Sequence, residues 1–297
     1  MLQQSHRWIS SADLDVDAYF LTTKNWVLFV HARDPKKTTK SFLSKLVKTF
    51  PYGNVAALSG AIKLKTKTEP LETQCFLPSQ ASFLALENNF RYLLKINRVL
   101  NPGLFLDQAN NRKELFQRIK NGLSTPHTPQ KLLNLFSYTG SFSVVATGAG
   151  VQSTTSVDTS KNYLEWEKRN HTYNEISTKQ TQHFYICEDT RIFLKKTIHR
   201  QEYFHWIIID PPTFSRFCSK IFQVKKELPT LLEQARRCLF PKGTIFISTN
   251  DSQWKKEDFN KFLFNFSRKY HFSLKQGSHP TNFQKSHPLK SAWLELL

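Results

Sequence analysis

Four polar residues, Asn134, Asp158, Asp189 and Asp210, recur at comparable points along the second half of the chain. Each closes or directly follows an apolar run short enough to be a strand. Carboxylates at the carboxyl ends of strands in an open α/β sheet stand where such sheets bind ligands. An acid at Asp158 can accept both hydroxyl protons of a ribose, and one at Asp189 can accept from an exocyclic amine. After Asn134 the chain reads Leu135-Phe136-Ser137-Tyr138-Thr139-Gly140-Ser141, a small-residue turn that lets backbone approach a ligand. It is neither a Gly-x-Gly-x-x-Gly nor a Walker loop, so the ligand need not carry a pyrophosphate. Asp210 is followed by Pro211-Pro212-Thr213-Phe214-Ser215, a rigid turn that can continue neither sheet nor helix. Taken singly, each acid also reads as a helix cap or a solvated strand end. Four in order describe a nucleoside site with no required phosphate.

Apolar runs at 131–136, 154–158, 183–187, 206–210 and 243–248 predict strands. Helical stretches at 141–147, 160–174, 190–198, 222–239 and 255–270 separate and follow them, with Ser160 as an N-cap. Pro241-Lys242-Gly243 marks a turn before the fifth strand, and 271–276 and 291–297 form a closing strand pair. This alternation predicts an α/β fold with a mainly parallel sheet covered on both faces. Upstream the pattern changes. A strand at 26–30, a helix at 38–50 with Phe42, Leu43, Leu46 and Val47 on one side, and a hairpin around Glu87-Asn88-Asn89 predict a small α+β domain. The expected domains are 1–101 and 102–297, with a segment beginning at Pro102 and a helix to Lys120 connecting them.

The 297 residues carry 42 Lys+Arg against 23 Asp+Glu, a net charge of +19, which points to a polyanionic partner, nucleic acid first. Lys36, Lys37, Lys40, Lys45 and Lys48, and the alternating Lys63, Lys65 and Lys67, are candidate contacts, though each also reads as a solvated face. No run approaches the roughly 20 apolar residues of a membrane span, and residues 1–10 hold no apolar signal core. A cytoplasmic location with no membrane partner follows. The four cysteines, 75, 187, 218 and 238, have neither Cys-x-x-Cys nor His at ligand spacing, so no metal site is expected.

The stretch from Leu132 to Ser141 resembles the first motif of class I methyltransferases acting on large-subunit ribosomal RNA. Thr154 to Trp166 is similar to their second motif, Asp210 to Ser215 to their fourth, and Gly103-Leu104-Phe105-Leu106-Asp107 to their upstream cofactor motif. The closest likeness is to the bacterial 23S rRNA guanine-N7 methyltransferase module, strong over about 102–250 and weaker over 15–101. The resemblance implies a Rossmann-like, seven-stranded catalytic domain that uses S-adenosylmethionine (SAM) on 23S rRNA, with the amino-terminal domain contacting RNA or substrate. Asn134, Phe136, Tyr138 and Gly140 would line the methionine side of the cofactor. Asp158 would bind the ribose, with Thr159 near the adenine and Asp189 at its amine. Phe105 and Asp107 would cover the cofactor from upstream, and Asp210, Pro211, Pro212 and Phe214 would face the target base.

The residues also bear on which atom is methylated. A pyrimidine C5 requires a thiolate nucleophile, and the turns where related C5-cytosine enzymes keep it hold Ser248-Thr249-Asn250-Asp251 and Pro212-Thr213. Cys218 lies further along the loop. Guanine N7 has an available lone pair and needs only in-line placement. Nitrogen methylation is therefore favoured, with C5-cytosine methylation and a non-catalytic RNA-binding role as the competing expectations.

Overall fold

The computed structural model describes residues 4–63, 68–71, 73–76, 82–97, 100–122, 129–174, 181–217, 220–283 and 288–297. Two compact units divide the chain: Met1–Ala109 with Pro280–Ser286, and Asn110–His279 with His287–Leu297. The first therefore runs past residue 101 and takes in a segment that the sequence reads as a loop of the second. Within that first unit, Asn282 Nδ2 donates to Arg7 O at 2.7 Å, and the Arg7 guanidinium lies 4.4 Å from the Phe283 ring centre.

The first unit is richer in strands than its sequence suggests. Strands β1 (His6–Ser10), β2 (Leu14–Phe20), β3 (Trp26–Ala32), β4 (Val55–Lys63) and β5 (Thr68–Pro70) form a sheet in that order, and β6 (Gln74–Cys75) also pairs with β4. Only β3 and β4 run parallel, joined through helix α1 (Lys40–Lys48), which Thr39 caps and which buries Leu43 and Leu46. The expected hairpin is β7 (Ser82–Glu87) and β8 (Phe90–Lys95); Asn88 and Asn89 take the positive φ that a two-residue turn demands.

Strand β2 buries charge on one face. Asp17 accepts from Arg7 Nε at 2.7 Å and pairs with His31 Nε2 at 3.0 Å, while Asp15 pairs with Arg7 and Arg33. Burial alone would raise the Asp17 carboxyl; the Arg7 charge and the His31 bond outweigh it and hold it at about 2. Stability from this group is present above the ordinary carboxylate pKa of about 4 and is lost as pH falls towards the folded value. Asp17→Ala leaves Arg7 without its strongest partner in a buried setting. The expected cost is about 3 kcal/mol at pH 7 by urea unfolding, shrinking in wild-type comparisons near pH 3.

The second unit begins with helix α2 (Ala109–Gly122) and continues as β9 (Lys131–Leu135), α3 (Ser141–Ala149), β10 (Ser153–Asp158), α4 (Lys161–Tyr173), β11 (Gln182–Cys187), α5 (Thr190–His199) and β12 (Phe204–Ile209). A hairpin of β13 (Phe214–Phe217) and β14 (Lys220–Gln223) follows, then α6 (Val224–Arg236), β15 (Leu239–Thr249), α7 (Lys256–Tyr270), β16 (Phe272–Gln276) and β17 (Lys290–Leu296). Seven strands make one sheet in the order β11-β10-β9-β12-β15-β17-β16, with only β17 antiparallel to its neighbours. This is the expected Rossmann-like α/β fold. Its centre is Ile207, Ile208 and Ile209, all at most 1% exposed, each contributing about 2 kcal/mol by burial.

Two local readings are corrected. Residues 222 and 223 belong to hairpin strand β14, and the helix expected over 222–239 occupies only Val224–Arg236. Pro241-Lys242-Gly243 lies inside β15, which starts at Leu239. Phe204 pairs with Leu239 and Trp206 with Thr244, so the extra residues form a bulge with Lys242 at φ 59°. Among the described residues no helix is long and apolar enough to cross a membrane, and no group of three His, Cys, Asp or Glu could hold a metal ion.

Candidate functional site

Strand β9 sits between β10 and β12, so successive crossovers leave it in opposite directions and open a crevice at the carboxyl edge. The loop from Phe136 to Gly140 occupies that edge. Phe136 (φ 59°), Tyr138 (φ 51°) and Gly140 (φ 74°) are all left-handed, a conformation that costs energy in residues with a Cβ. Surrounding bonds hold it there. Ser137 N donates to Val157 O at 3.1 Å, Tyr138 N to Asp158 Oδ2 at 3.0 Å, and Asn170 Nδ2 to Thr139 O at 2.8 Å. The Tyr138 ring packs edge-on against Tyr163, and the Phe136 ring lies tilted against Phe222.

Asp158 ends β10, as expected, and is half-buried. Its second oxygen, Oδ1, accepts from Ser160 N at 2.8 Å. Burial pushes its pKa up, and the backbone N–H groups of Ser160, Tyr138 and Thr159 oppose that. Each oxygen thus takes at least one backbone donor, which fixes the orientation of the carboxylate. Thr159 is exposed beside it. A carboxylate fixed in this way suits a vicinal diol. These residues fit a nucleoside.

Asn134 and Asp189 are placed differently from the simple expectation. The Asn134 amide is buried and donates to Ser143 Oγ at 2.9 Å, beneath the loop rather than above it. Asp189 caps α5: Oδ1 accepts from Arg191 N and Nε, and Oδ2 from Arg191 Nη2 at 2.6 Å. Arg191 alone thus supplies three donors to this carboxylate, two of them on Oδ1. The Arg191 hydrogen bond is the largest influence holding this carboxyl low.

Asp210 follows β12 at the same edge and accepts from Ser248 Oγ of the neighbouring β15. Pro211 is buried and Pro212 exposed; Thr213 Oγ1 donates to Asn250 Oδ1 at 2.9 Å. The backbone of Phe214 opens the β13–β14 hairpin, paired with Gln223. The Phe214 side chain, Cys218, Lys65 and Lys67 lie outside the described residues. Phe105, exposed, and Asp107, in a single 3-10 turn, belong to the first unit.

Sequence reasoning missed the residues beneath this edge. Glu167 of α4 is fully buried and accepts from Ser156 Oγ at 2.5 Å and from Ser137 Oγ at 3.0 Å. Burial raises it to about 7, against the hydroxyls of Ser156, Ser143 and Ser137. Lys290, also buried, donates to Asp251 O at 2.8 Å and Pro288 O at 2.7 Å, tying the turn after β15 to the start of β17. A signal for Glu167 existed: Leu164, Glu167 and His171 fall at i, i+3 and i+7, on the stripe of α4 that faces the core.

Residues 60–288 match the family model for S-adenosylmethionine-dependent methyltransferases. The chain belongs to that family. SAM is the cofactor of its members. The ribosomal RNA large subunit methyltransferase K/L of Vibrio cholerae is 30% identical over 266 residues, covering 88% of this chain and 35% of the relative. The ribosomal RNA large subunit methyltransferase K of Neisseria meningitidis is 33% identical over 170 residues, covering 57% of this chain and 45% of the relative. The chain therefore spans less than half the length of these curated relatives. A solved candidate SAM-dependent methyltransferase from Streptococcus mutans superposes with a TM-score of 0.79 at 24% identity, covering 99% of this chain and 75% of that one. That likeness is one of fold. As a methyltransferase, the chain places its two acid-bearing edges, Asp158 and Asp210, on either side of β9.

Proposed function

We propose that this methyltransferase transfers a methyl group from SAM to a base of large-subunit ribosomal RNA, with guanine N7 of 23S rRNA as the target. The observation that carries the reading is the shared carboxyl edge. Asp158 pins the Phe136–Gly140 loop on one side of β9, and Asp210-Pro211-Pro212 stands on the other. The names of the two ribosomal RNA methyltransferase relatives and the charge of +19 support RNA as the acceptor. The exposed Lys36, Lys40, Lys45 and Lys48 of the first unit suit phosphate contacts there.

In this reading Asp158 holds the ribose hydroxyls and Thr159 lies near the adenine. Asp189 meets the adenine amine. Tyr138 and Gly140 line the methionine side, with Phe136 behind them and Asn134 bracing the loop from below. When bound, SAM supplies an electrophilic methyl group on a sulfonium sulfur. Asp210 faces the target base, accepts from N–H groups on its edge and offsets the positive charge that N7 methylation leaves on the ring. Pro211 and Pro212 fix that carboxylate, and Phe214 offers a stacking face for an extruded base. N7 loses no proton, so no general base is needed, and orientation supplies most of the rate.

Mass spectrometry of ribosomal RNA nucleosides from cells with and without the gene tests the target. Loss of 7-methylguanosine at one position is expected. Loss of 5-methylcytidine instead would move the acceptor to carbon, and an unchanged nucleoside profile would remove ribosomal RNA as the substrate.

A further inference from the structure

Glu167 carries a buried acid directly under the cofactor loop. A Cβ placed on Gly140 would fall 2.1 Å from Glu167 Cγ, so backbone and carboxyl are in immediate contact. The hydrogen bonds around it run in one direction. Asn134 Nδ2 can only donate, and does so to Ser143 Oγ at 2.9 Å. Ser143 and Ser156 share a bond of 2.8 Å, and Ser156 donates to Glu167 Oε1. Ser143 therefore has its own proton to give, to Ser156 or directly to Glu167, and the cluster ends on Glu167 as acceptor. Ser137 of the loop adds a second donor, on Oε2.

This arrangement solvates a carboxylate yet gives it no counter-charge. Among the described residues, no lysine or arginine forms an ion pair with Glu167. The titratable groups facing it are Asp158 from β10, Tyr185 from β11 and His171 one turn along α4. Asp158 disfavours ionisation by like charge. His171 is held neutral, at about 3, by burial and by His183. Tyr185 remains a neutral phenol, raised by burial and by Glu167 itself. The missing cation has one natural source at this loop. SAM brings a sulfonium; S-adenosylhomocysteine (SAH), the product, has a neutral thioether in its place.

We propose that Glu167 is a positioning residue whose ionisation is coupled to the charge on the cofactor sulfur, so that the site favours SAM over its own product. The inference rests on the reading of the Phe136–Gly140 loop as the cofactor loop. On binding of SAM the Glu167 O–H bond breaks, the electron pair stays on the carboxylate, and the proton leaves to solvent. Ser137 and Ser156 donate to the charge that forms. After methyl transfer the positive charge has left the sulfur, the carboxylate regains its proton, and SAH is held less tightly. Burial already raises this acid to about 7, where small changes in field decide its state.

The test uses the intact protein and two ligands. Infrared difference spectra at pH 7 should lose a protonated-carboxyl band on addition of SAM and show no such loss with SAH. Calorimetric affinities should give a preference for SAM over SAH that rises about fivefold between pH 6 and pH 8, as one pKa unit of coupling on a group near 7 requires. In Glu167→Gln the preference should follow only the titration of the ligands themselves. The same band change with both ligands, or an identical pH dependence in wild type and variant, would overturn the inference. The infrared measurement stands on the wild-type protein alone if the variant does not fold. If neither SAM nor SAH binds, the cofactor reading itself fails and takes this inference with it.

Discussion

Replacing Gly140 with alanine is expected to abolish SAM binding and to destabilise the protein by about 3 kcal/mol. Two independent penalties act at this position. The backbone φ of 74° lies in the left-handed region, which a Cβ disfavours. The added carbon would also fall 2.1 Å from Glu167 Cγ and 2.5 Å from its Oε1. Glu167 cannot swing away, because α4 holds it in the core between Ser137 and Ser156. The loop must then move, and with it Tyr138, whose N–H is bonded to Asp158. Calorimetry with SAH and thermal unfolding measure the two losses separately. Wild-type affinity in Gly140→Ala would show that the loop does not form the cofactor wall.

Asp158→Ala should weaken SAH binding about 100-fold or more, the value of two hydrogen bonds from ribose hydroxyls to a charged acceptor. The carboxylate also organises its own surroundings. Without it, Tyr138 N and Ser160 N lose their acceptor, and the Phe136–Gly140 loop loses its tie to β10. Asp158→Asn separates the two roles. Asparagine keeps one acceptor oxygen but sets its Nδ2 against the other backbone N–H, so it should retain part of the fold stability while losing most of the affinity. Equal affinity in wild type and Asp158→Asn would remove this residue from the ribose contact.

The parallel core of the second unit was legible because its strands are doubly buried and read as continuous apolar runs. Trp206-Ile207-Ile208-Ile209 is the clearest of them, and the acids that follow such runs mark the carboxyl edge of the sheet. The hairpin before α6 was hidden because Phe222 and Val224 carry the same apolar signal as the first turn of the helix. The bulge in β15 was hidden by residues that usually end a strand. In the first unit, β2 alternates apolar residues with Asp15 and Asp17, whose partners arrive from β1 and β3, so no local pattern announces that both faces are buried. The positive φ values at Phe136 and Tyr138 belong to residue types that give no such warning; they follow from bonds to Val157, Asp158 and Asn170. Glu167 reads locally as one charge in the run Glu165-Trp166-Glu167-Lys168-Arg169. Only the helical stripe it shares with Leu164 and His171 assigns it to the interior.

Methyl transfer from SAM to a ring nitrogen of large-subunit ribosomal RNA, as proposed, can be observed in vitro. The most direct measurement incubates the purified protein with methyl-labelled SAM and protein-free 23S rRNA, then digests the RNA and identifies the labelled nucleoside. Label is expected in 7-methylguanosine, and none when Asp210→Ala is used at unchanged SAH affinity. Label in 5-methylcytidine, or SAH binding with no transfer to the RNA, would contradict it.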